Sequence, residues 1–375
     1  MDCDEPEVLV GIGIIGLPLS GKTTIFNAVT RGRAEVASFK AAAQQPNIGV
    51  VKVPDSRLEP LSDIAKSKKI VPAEIEYLDI PTSAEGIGSS KGIDGNYLNL
   101  LQRCEGLIIT ARSFANPSVP IHNETIDPFR DIQLLVDELA LSDLSILERR
   151  KLRISNQFKG AKSSEKENLT RESELINTIS DSLENGTPVR AQNLSDSSTP
   201  YVENFQLLTS KPLIVLFNID EGQINDIETI ERTMKEKISM PETAMVAICG
   251  NLEMDLAQMN PPDADEFRDS MGIKHSALDR MIETSYDLLG LMSFITTGED
   301  ETRAWTIKKD TMAVDAAAKI HTDIQRGFIR AEVVNFEDLL SVGSIAEVKK
   351  LGKFRQEGKN YIMKDGDVVN FLFNI

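Results

Sequence analysis

Cysteine is scarce in this chain of 375 residues: Cys3, Cys104 and Cys249 are far apart and odd in number. That pattern excludes a disulfide framework and fits unpaired thiols in a reducing cytosol. Histidine is equally rare, with three residues, and no Cys/His group has the spacing of a zinc site. Long apolar runs are also missing. The run near the N-terminus, Val8–Leu17, is about half of what a bilayer span needs. Acidic residues (Asp2, Asp4, Glu5, Glu7) precede it where a signal peptide would carry basic ones. Neither a membrane span nor a secretory leader is therefore expected, and the expected location is cytoplasmic. The Asn-x-Ser/Thr sequons, Asn123, Asn168 and Asn193 among them, then carry no meaning as glycan sites.

Positive charge is in deficit. The 41 Lys and Arg stand against 58 Asp and Glu, a formal net charge of −17. Such a balance argues against coating nucleic acid by bulk electrostatics, and no DNA partner is expected. The deficit is uneven. Arg303–Ile375 holds twelve basic and ten acidic residues, a net of +2 that leaves −19 on the remainder. A C-terminal module with a partner of its own is the implication.

A hydrophobic fraction of 41% with 26% charged residues is that of a globular protein, long enough for two or three domains. Residues 8–16 (VLVGIGIIG) read as a buried parallel strand, followed by a helix from Gly21 through Thr30. Strand-like runs recur at Ile48–Val53, Ala73–Ile80, Gly106–Ala111, Pro212–Asn218 and Thr243–Cys249. Most are separated by helical stretches, the βαβ rhythm of a doubly wound sheet. Between Ile132 and Ser210 the rhythm breaks. Ile132–Phe158 is one long helical pattern, "KGAKSSEKEN" reads as a turn, and Leu169–Leu183 as a second helix. An antiparallel helical hairpin inserted into the α/β domain accounts for this, its leucines serving as core packing or as an arm for a partner. From about Thr302 short strands, glycines and a helix at Ala313–Ile324 suggest a small α+β domain.

The stretch "GIGIIGLPLSGKTT" overlays two phosphate-binding signatures. Read as a dinucleotide turn, its three glycines lie among isoleucines and Pro18 blocks the helix that should open there. Nor does an acidic residue end a second strand roughly 20 residues on. Read as G-x-x-x-x-G-K-[ST], Gly16 ends the strand and Gly21 opens the helix. The backbone of Leu19, Ser20, Gly21, Lys22, Thr23 and Thr24 can then surround phosphates. Lys22 reaches the β/γ oxygens and the Thr23 hydroxyl ligates Mg²⁺. The spacing points to a nucleoside triphosphate.

Asp79, at the end of an apolar strand, is the candidate carboxylate linked to Mg²⁺ alongside Thr23. Asn218 ends "PLIVLFN" where a base-reading N-K-x-D motif belongs, with Ile219 for Lys and Glu221 for Asp. A guanine site needs a carboxylate for two donors, N1–H and the 2-amino group. Adenine presents a ring acceptor and one amino donor, so this replacement weakens guanine preference. Cys249 and Gly250, where the run Thr243–Cys249 closes, complete the candidate nucleotide set.

With these motifs, "PNIGVVKVPDSRL", "NIDE" and the ending "RAWTIKKDTMAVDAAAKIHTDIQRGFIRAEVVNFEDLL…GKNYIMKDGDVVNFLFNI", the chain resembles the YchF-type branch of the Obg family of P-loop NTPases. The similarity runs through nearly its whole length. "IIGLPLSGKTTIFNAVT" is similar to that family's "GLPNVGKST", and the ending to its TGS domain. The resemblance implies a Rossmann-like P-loop NTPase (G) domain over 8–131 and 211–300, an inserted antiparallel helical arm over 132–210, and a C-terminal α+β TGS domain over 301–375. It implies ATP in preference to GTP through Asn218 and Glu221. It also implies association with ribosomes, or with ribosome-associated RNA or protein, through the TGS domain and the arm.

Departures from the family pattern fall on the switches. Ala43 stands where switch I carries a Mg²⁺-ligating Thr, and Thr82 where the third motif has a Gly whose N–H meets the γ-phosphate. Phosphate binding therefore survives in this reading while sensing and hydrolysis do not look intact. His122 resembles the family's candidate for positioning water and is the catalytic candidate with Lys22. His321 resembles a TGS-domain residue with a structural or partner-binding part. A non-catalytic nucleotide-binding adaptor and a GTP-specific translation GTPase remain the alternatives to a slow, ATP-preferring regulatory NTPase.

Overall fold

A computed structural model of the chain describes residues 11–31, 46–81, 93, 95–116, 125–195, 198–238, 240–273 and 276–374. Among these, two compact units form, one from residues 11–49 and 76–278, the other from residues 50–75 and 279–374. No helix among the described residues is long and apolar enough to cross a membrane.

The apolar runs become strands β1 (Gly11–Gly16), β2 (Asn47–Lys52), β3 (Ile70–Val71), β4 (Glu74–Asp79), β5 (Gly106–Ser113), β6 (Leu213–Ile219) and β7 (Thr243–Ile248). Six of them make one sheet in the order β2-β4-β1-β5-β6-β7. The pairs β4–β1, β1–β5, β5–β6 and β6–β7 are all parallel. β1 and β6 are buried almost throughout, as continuous apolar strands under helices must be. Gly13 explains the decoy in the N-terminal glycine pattern. A Cβ there would lie 2.8 Å from Ile80 Cδ1 and 2.9 Å from Cys104 Sγ, so the residue serves close packing inside a strand. Cys104 and Cys249 are free and buried; Cys3 lies outside the described residues.

The inserted arm is a hairpin of helices Pro128–Phe158 and Ser163–Glu184. Its first helix starts four residues earlier than the periodicity suggests. The Asp127 carboxylate accepts from the N–H groups of Phe129 and Arg130, both at 3.1 Å, with Pro128 in the first turn. That is the strong N-cap arrangement. The second helix also starts early, at Ser163, so the turn is far shorter than "KGAKSSEKEN". The Glu165 carboxylate accepts from the Lys162 N–H at 3.4 Å, which favours helix from that point. Leu147, Ile154, Leu169, Ile176 and Ile179 pack the seam, beside a two-pronged Arg150–Glu172 pair at 2.6 and 2.8 Å. At the root of the arm, fully buried Asp143 accepts from Leu208 N (2.7 Å), Thr209 N (2.8 Å) and the Thr209 hydroxyl (2.7 Å).

The second sheet adds β8 (Leu291–Thr297), β9 (Thr302–Lys308), β10 (Phe328–Asn335), β11 (Arg355–Glu357) and β12 (Asp367–Phe373), in the order β11-β10-β12-β8-β9-β3. Its core stacks Phe294 on Trp305 with ring centroids 6.3 Å apart, over Ala313, Ala316 and Ala317. The boundary expected at 300/301 falls inside this unit. β8 pairs antiparallel with β9 along its whole length, and residues 50–75 also belong here. The helix expected through Ala313–Ile324 is broken: Ala313–Ile320 ends, His321 turns extended, and Thr322–Arg326 begins. His321 Nδ1 accepts from the Asp323 N–H at 3.1 Å, making this histidine a helix cap.

Burial pushes the Asp143 carboxyl up to about 6, against the opposing pull of its three donors and Lys211. A raised carboxyl pKa means the folded protein binds the proton more tightly than the unfolded chain. The resulting stabilisation is complete below pH 3.8, the unfolded value, and is lost as pH rises through about 6. In urea unfolding, the stability difference between wild type and Asp143→Asn should move in favour of wild type by about 2 kcal/mol from pH 7 to pH 4. A difference flat with pH would contradict this account of the arm's anchor.

Candidate nucleotide-binding site

β1 ends at Gly16, and the chain then turns with Ser20 N donating to Leu17 O at 3.2 Å. Leu19 (φ 67°) and Gly21 (φ 85°) are both left-handed, and helix Lys22–Arg31 opens directly after them. Left-handed residues set among right-handed ones build a concave backbone cradle for anions, here at a helix N-terminus. The loop leaves no room at Gly21. A Cβ there would stand 2.0 Å from Asn218 Nδ2, so glycine is required by space as well as by φ.

The parallel register sets Ile14 opposite Asp79, bringing the end of β4 beside the loop that leaves β1. Asp79 is 4% exposed and Lys22 is 8% exposed. The Lys22 ammonium donates to Asp79 Oδ1, while the Thr23 hydroxyl donates to Oδ2 at 3.0 Å. Asn47 Nδ2 reaches the same oxygen at 3.4 Å. One buried carboxylate thus gathers an ammonium, a hydroxyl and an amide. Among the described residues no group of three or more His, Cys, Asp or Glu could hold a metal by itself. The hydroxyl of Thr23 and the carboxylate of Asp79 are hard oxygen donors. They suit Mg²⁺, which keeps most of its shell for phosphates and water. The residues present therefore fit both the triphosphate and the ion.

On the opposite side of the loop, Asn218 is 4% exposed at the end of β6. Its Nδ2 donates to Ser20 O at 3.1 Å and its Oδ1 accepts from Gly250 N at 3.0 Å. It ties the phosphate loop to the segment after β7. A small pocket beside this tie is lined by Gly21, Thr24, Asn218, Ile219, Glu221 and Cys249, together with Phe114 and Asn251. Burial pushes the Cys249 thiol up from its ordinary pKa, with Glu221 adding to the shift. A neutral thiol is the consequence, which leaves the hydrogen-bonding side chains of the pocket as Thr24, Asn218, Asp220, Glu221 and Asn251.

The structure thus brings together Gly16, Leu19, Ser20, Gly21, Lys22, Thr23, Thr24, Asp79, Asn218, Ile219, Glu221, Cys249 and Gly250. His122, Ala43 and Thr82 lie outside the described residues. Asn47, Phe114 and Arg112 are additions that sequence reasoning did not supply. Asn47 could have been found as a polar residue heading an apolar strand. Phe114 has no local signal. It is held by buried Arg112, whose Nε donates to Phe114 O at 3.2 Å and whose guanidinium lies 4.8 Å from the ring centroid.

Residues 11–139 match a family model described as "50S ribosome-binding GTPase". Residues 291–374 match one named for the C-terminal domain of YchF GTPases and described as a protein of unknown function. Over 365 residues, 97% of the chain and 99% of the relative, it is 36% identical to the ribosome-binding ATPase YchF of Bacillus subtilis. The chain belongs to the YchF family. The YchF of Mycoplasma genitalium, also called a ribosome-binding ATPase, is 32% identical over 371 residues, 98% of this chain and all of that one. The solved YchF GTPase of Schizosaccharomyces pombe superposes with a TM-score of 0.85 at 28% identity, covering 97% of both chains.

Against the YchF signature "GLPNVGKST", Leu19 occupies the place of Asn. Asn tolerates the left-handed region, whereas a leucine there carries a cost of about 1 kcal/mol. Leu19→Asn should therefore raise stability by about 1 kcal/mol in chemical unfolding, and an unchanged or lower stability would contradict the strain. Gly21→Ala should do the opposite, pushing Asn218 off the loop and weakening binding of a fluorescent nucleotide by about tenfold or more.

Proposed function

We propose that this YchF-family chain is a regulatory nucleotide-binding factor that takes ATP in preference to GTP, with Mg²⁺, hydrolyses it slowly if at all, and associates with the ribosome. The observation that carries the reading is the convergence of Lys22 and Thr23 on the buried carboxylate of Asp79. In this reading the backbone from Leu19 to Thr24 cradles the phosphates and Gly16 ends the strand that presents it. Lys22 exchanges Asp79 for the β/γ oxygens, and Thr23 and Asp79 hold the metal side. Mg²⁺, when bound, offsets charge on the phosphate oxygens.

The base lies toward the pocket of Ile219, Glu221 and Cys249. Asn218 acts there chiefly as a brace, since both ends of its amide are engaged by Ser20 and Gly250. Glu221 in the place of Asp supports adenine over guanine, because its extra methylene shifts the carboxylate from the point where guanine N1–H and the 2-amino group would meet it. The altered switch positions Ala43 and Thr82 support slow turnover, and His122 is the residue proposed to position water. Ribosome association is supported by the names of the relatives and is assigned to the helical arm and the C-terminal unit.

Calorimetric competition with Mg²⁺ present should show ATP binding about tenfold or more tighter than GTP. Thr23→Ala should weaken the Mg²⁺-dependent part of that binding by about tenfold. Tighter binding of GTP would overturn the base assignment. ATP turnover at tens per second, lost in Thr23→Ala, would overturn the reading of the switches.

A further inference from the structure

The C-terminal unit contains a groove of about 540 Å³ that the nucleotide chemistry does not use. Apolar side chains of Ile320, Ile324, Leu339, Ile345, Phe354 and Phe373 line it, and Phe373 is 43% exposed there. The charged side chains lining the same groove are Glu299, Asp300, Glu301 and Glu332, against the single ammonium of Lys349. Lys349 is already committed, 3.5 Å from Glu332. Asp300 meets Lys68 at 2.9 Å, but both side chains are largely in solvent, at 91% and 77% exposed. Arg303 approaches Glu301 only to 4.0 Å. Exposed pairs of this kind neutralise little. The groove is therefore apolar and locally acidic, although Arg303–Ile375 carries a small positive net charge.

We propose that this groove docks a basic, amphipathic segment of a partner protein. An apolar face on the occupant covers the isoleucines, Phe354 and Phe373, the ordinary driving term of such sites. Its Lys or Arg side chains meet Glu299, Asp300 and Glu301, which gives the interface its selectivity and its on-rate. A nucleic-acid backbone is disfavoured, because phosphates would face the carboxylates of Glu299, Asp300 and Glu301. The inference rests on the proposed partner role of the C-terminal unit and is independent of the nucleotide site.

The full chain is titrated into a fluorescently labelled Leu/Lys helical peptide and followed by anisotropy. Binding in the micromolar range is expected, and the triple variant Glu299→Gln, Asp300→Asn, Glu301→Gln should weaken it by about tenfold. Phe373→Ser should weaken it comparably. A control with as many charges removed from the arm, Glu167→Gln, Glu174→Gln, Asp181→Asn, should bind like wild type. Equal affinity in the groove and wild-type proteins overturns the proposal, as does an equal loss in the arm control. A Leu/Glu peptide or an RNA oligonucleotide that displaces the probe with equal strength overturns it too. The triple variant alters side chains at the groove's charged positions alone, so it decides the matter if Phe373→Ser fails to fold. ATP binding measured on the same samples separates a failed groove from a failed nucleotide reading.

Discussion

The buried pair of Lys22 and Asp79 is the constraint on which the site depends. Neither charge is tolerable alone at that depth, since an unpartnered buried ion costs several kcal/mol. Each therefore holds the other in place, and Asp79 holds Thr23 through its second oxygen. The pair exists because β1 and β4 run parallel in a register that sets Ile14 opposite Asp79. A slip of one residue would turn the carboxylate to the other face of the sheet. The apolar interior of β1, down to the close packing at Gly13, is thus part of the machinery of the site.

Asn218 plays the corresponding part on the base side. Its amide connects Ser20 to Gly250, so that the phosphate loop, the end of β6 and the segment after β7 form one braced unit. In the proposed reading base preference then falls to what surrounds it, chiefly Glu221, in the pocket that Phe114, held by Arg112, also lines. This division of labour explains how Lys can give way to Ile219 in the N-K-x-D position without loss of the brace.

Local spacing made much of this legible in the sequence. The phosphate loop, Asp79 at a strand end and the Asn218/Glu221 pair are each short patterns whose chemistry needs no knowledge of distant residues. The central strands were equally readable, being apolar runs bounded by polar ones. What escaped depends on partners far away in the chain. Asn47 and Phe114 are placed by strand neighbours, and the groove's acidity is a property of surface that Glu299, Glu301 and Glu332 share only after folding. β8 lies within the range that the resemblance implies for the first domain, while its pairing with β9 sets it in the second sheet. Helix ends depart from the periodicity where caps outweigh it, at Asp127, Glu165 and His321.

The central claim is that Asp79 restrains Lys22 and, with Thr23, serves the metal. Calorimetry of ATP binding to Asp79→Asn, with and without Mg²⁺, tests it most directly. The account predicts that Mg²⁺ no longer tightens binding in the variant, while affinity without Mg²⁺ is kept or improved because Lys22 is released. An undiminished Mg²⁺ effect, with weaker binding in its absence, would contradict it.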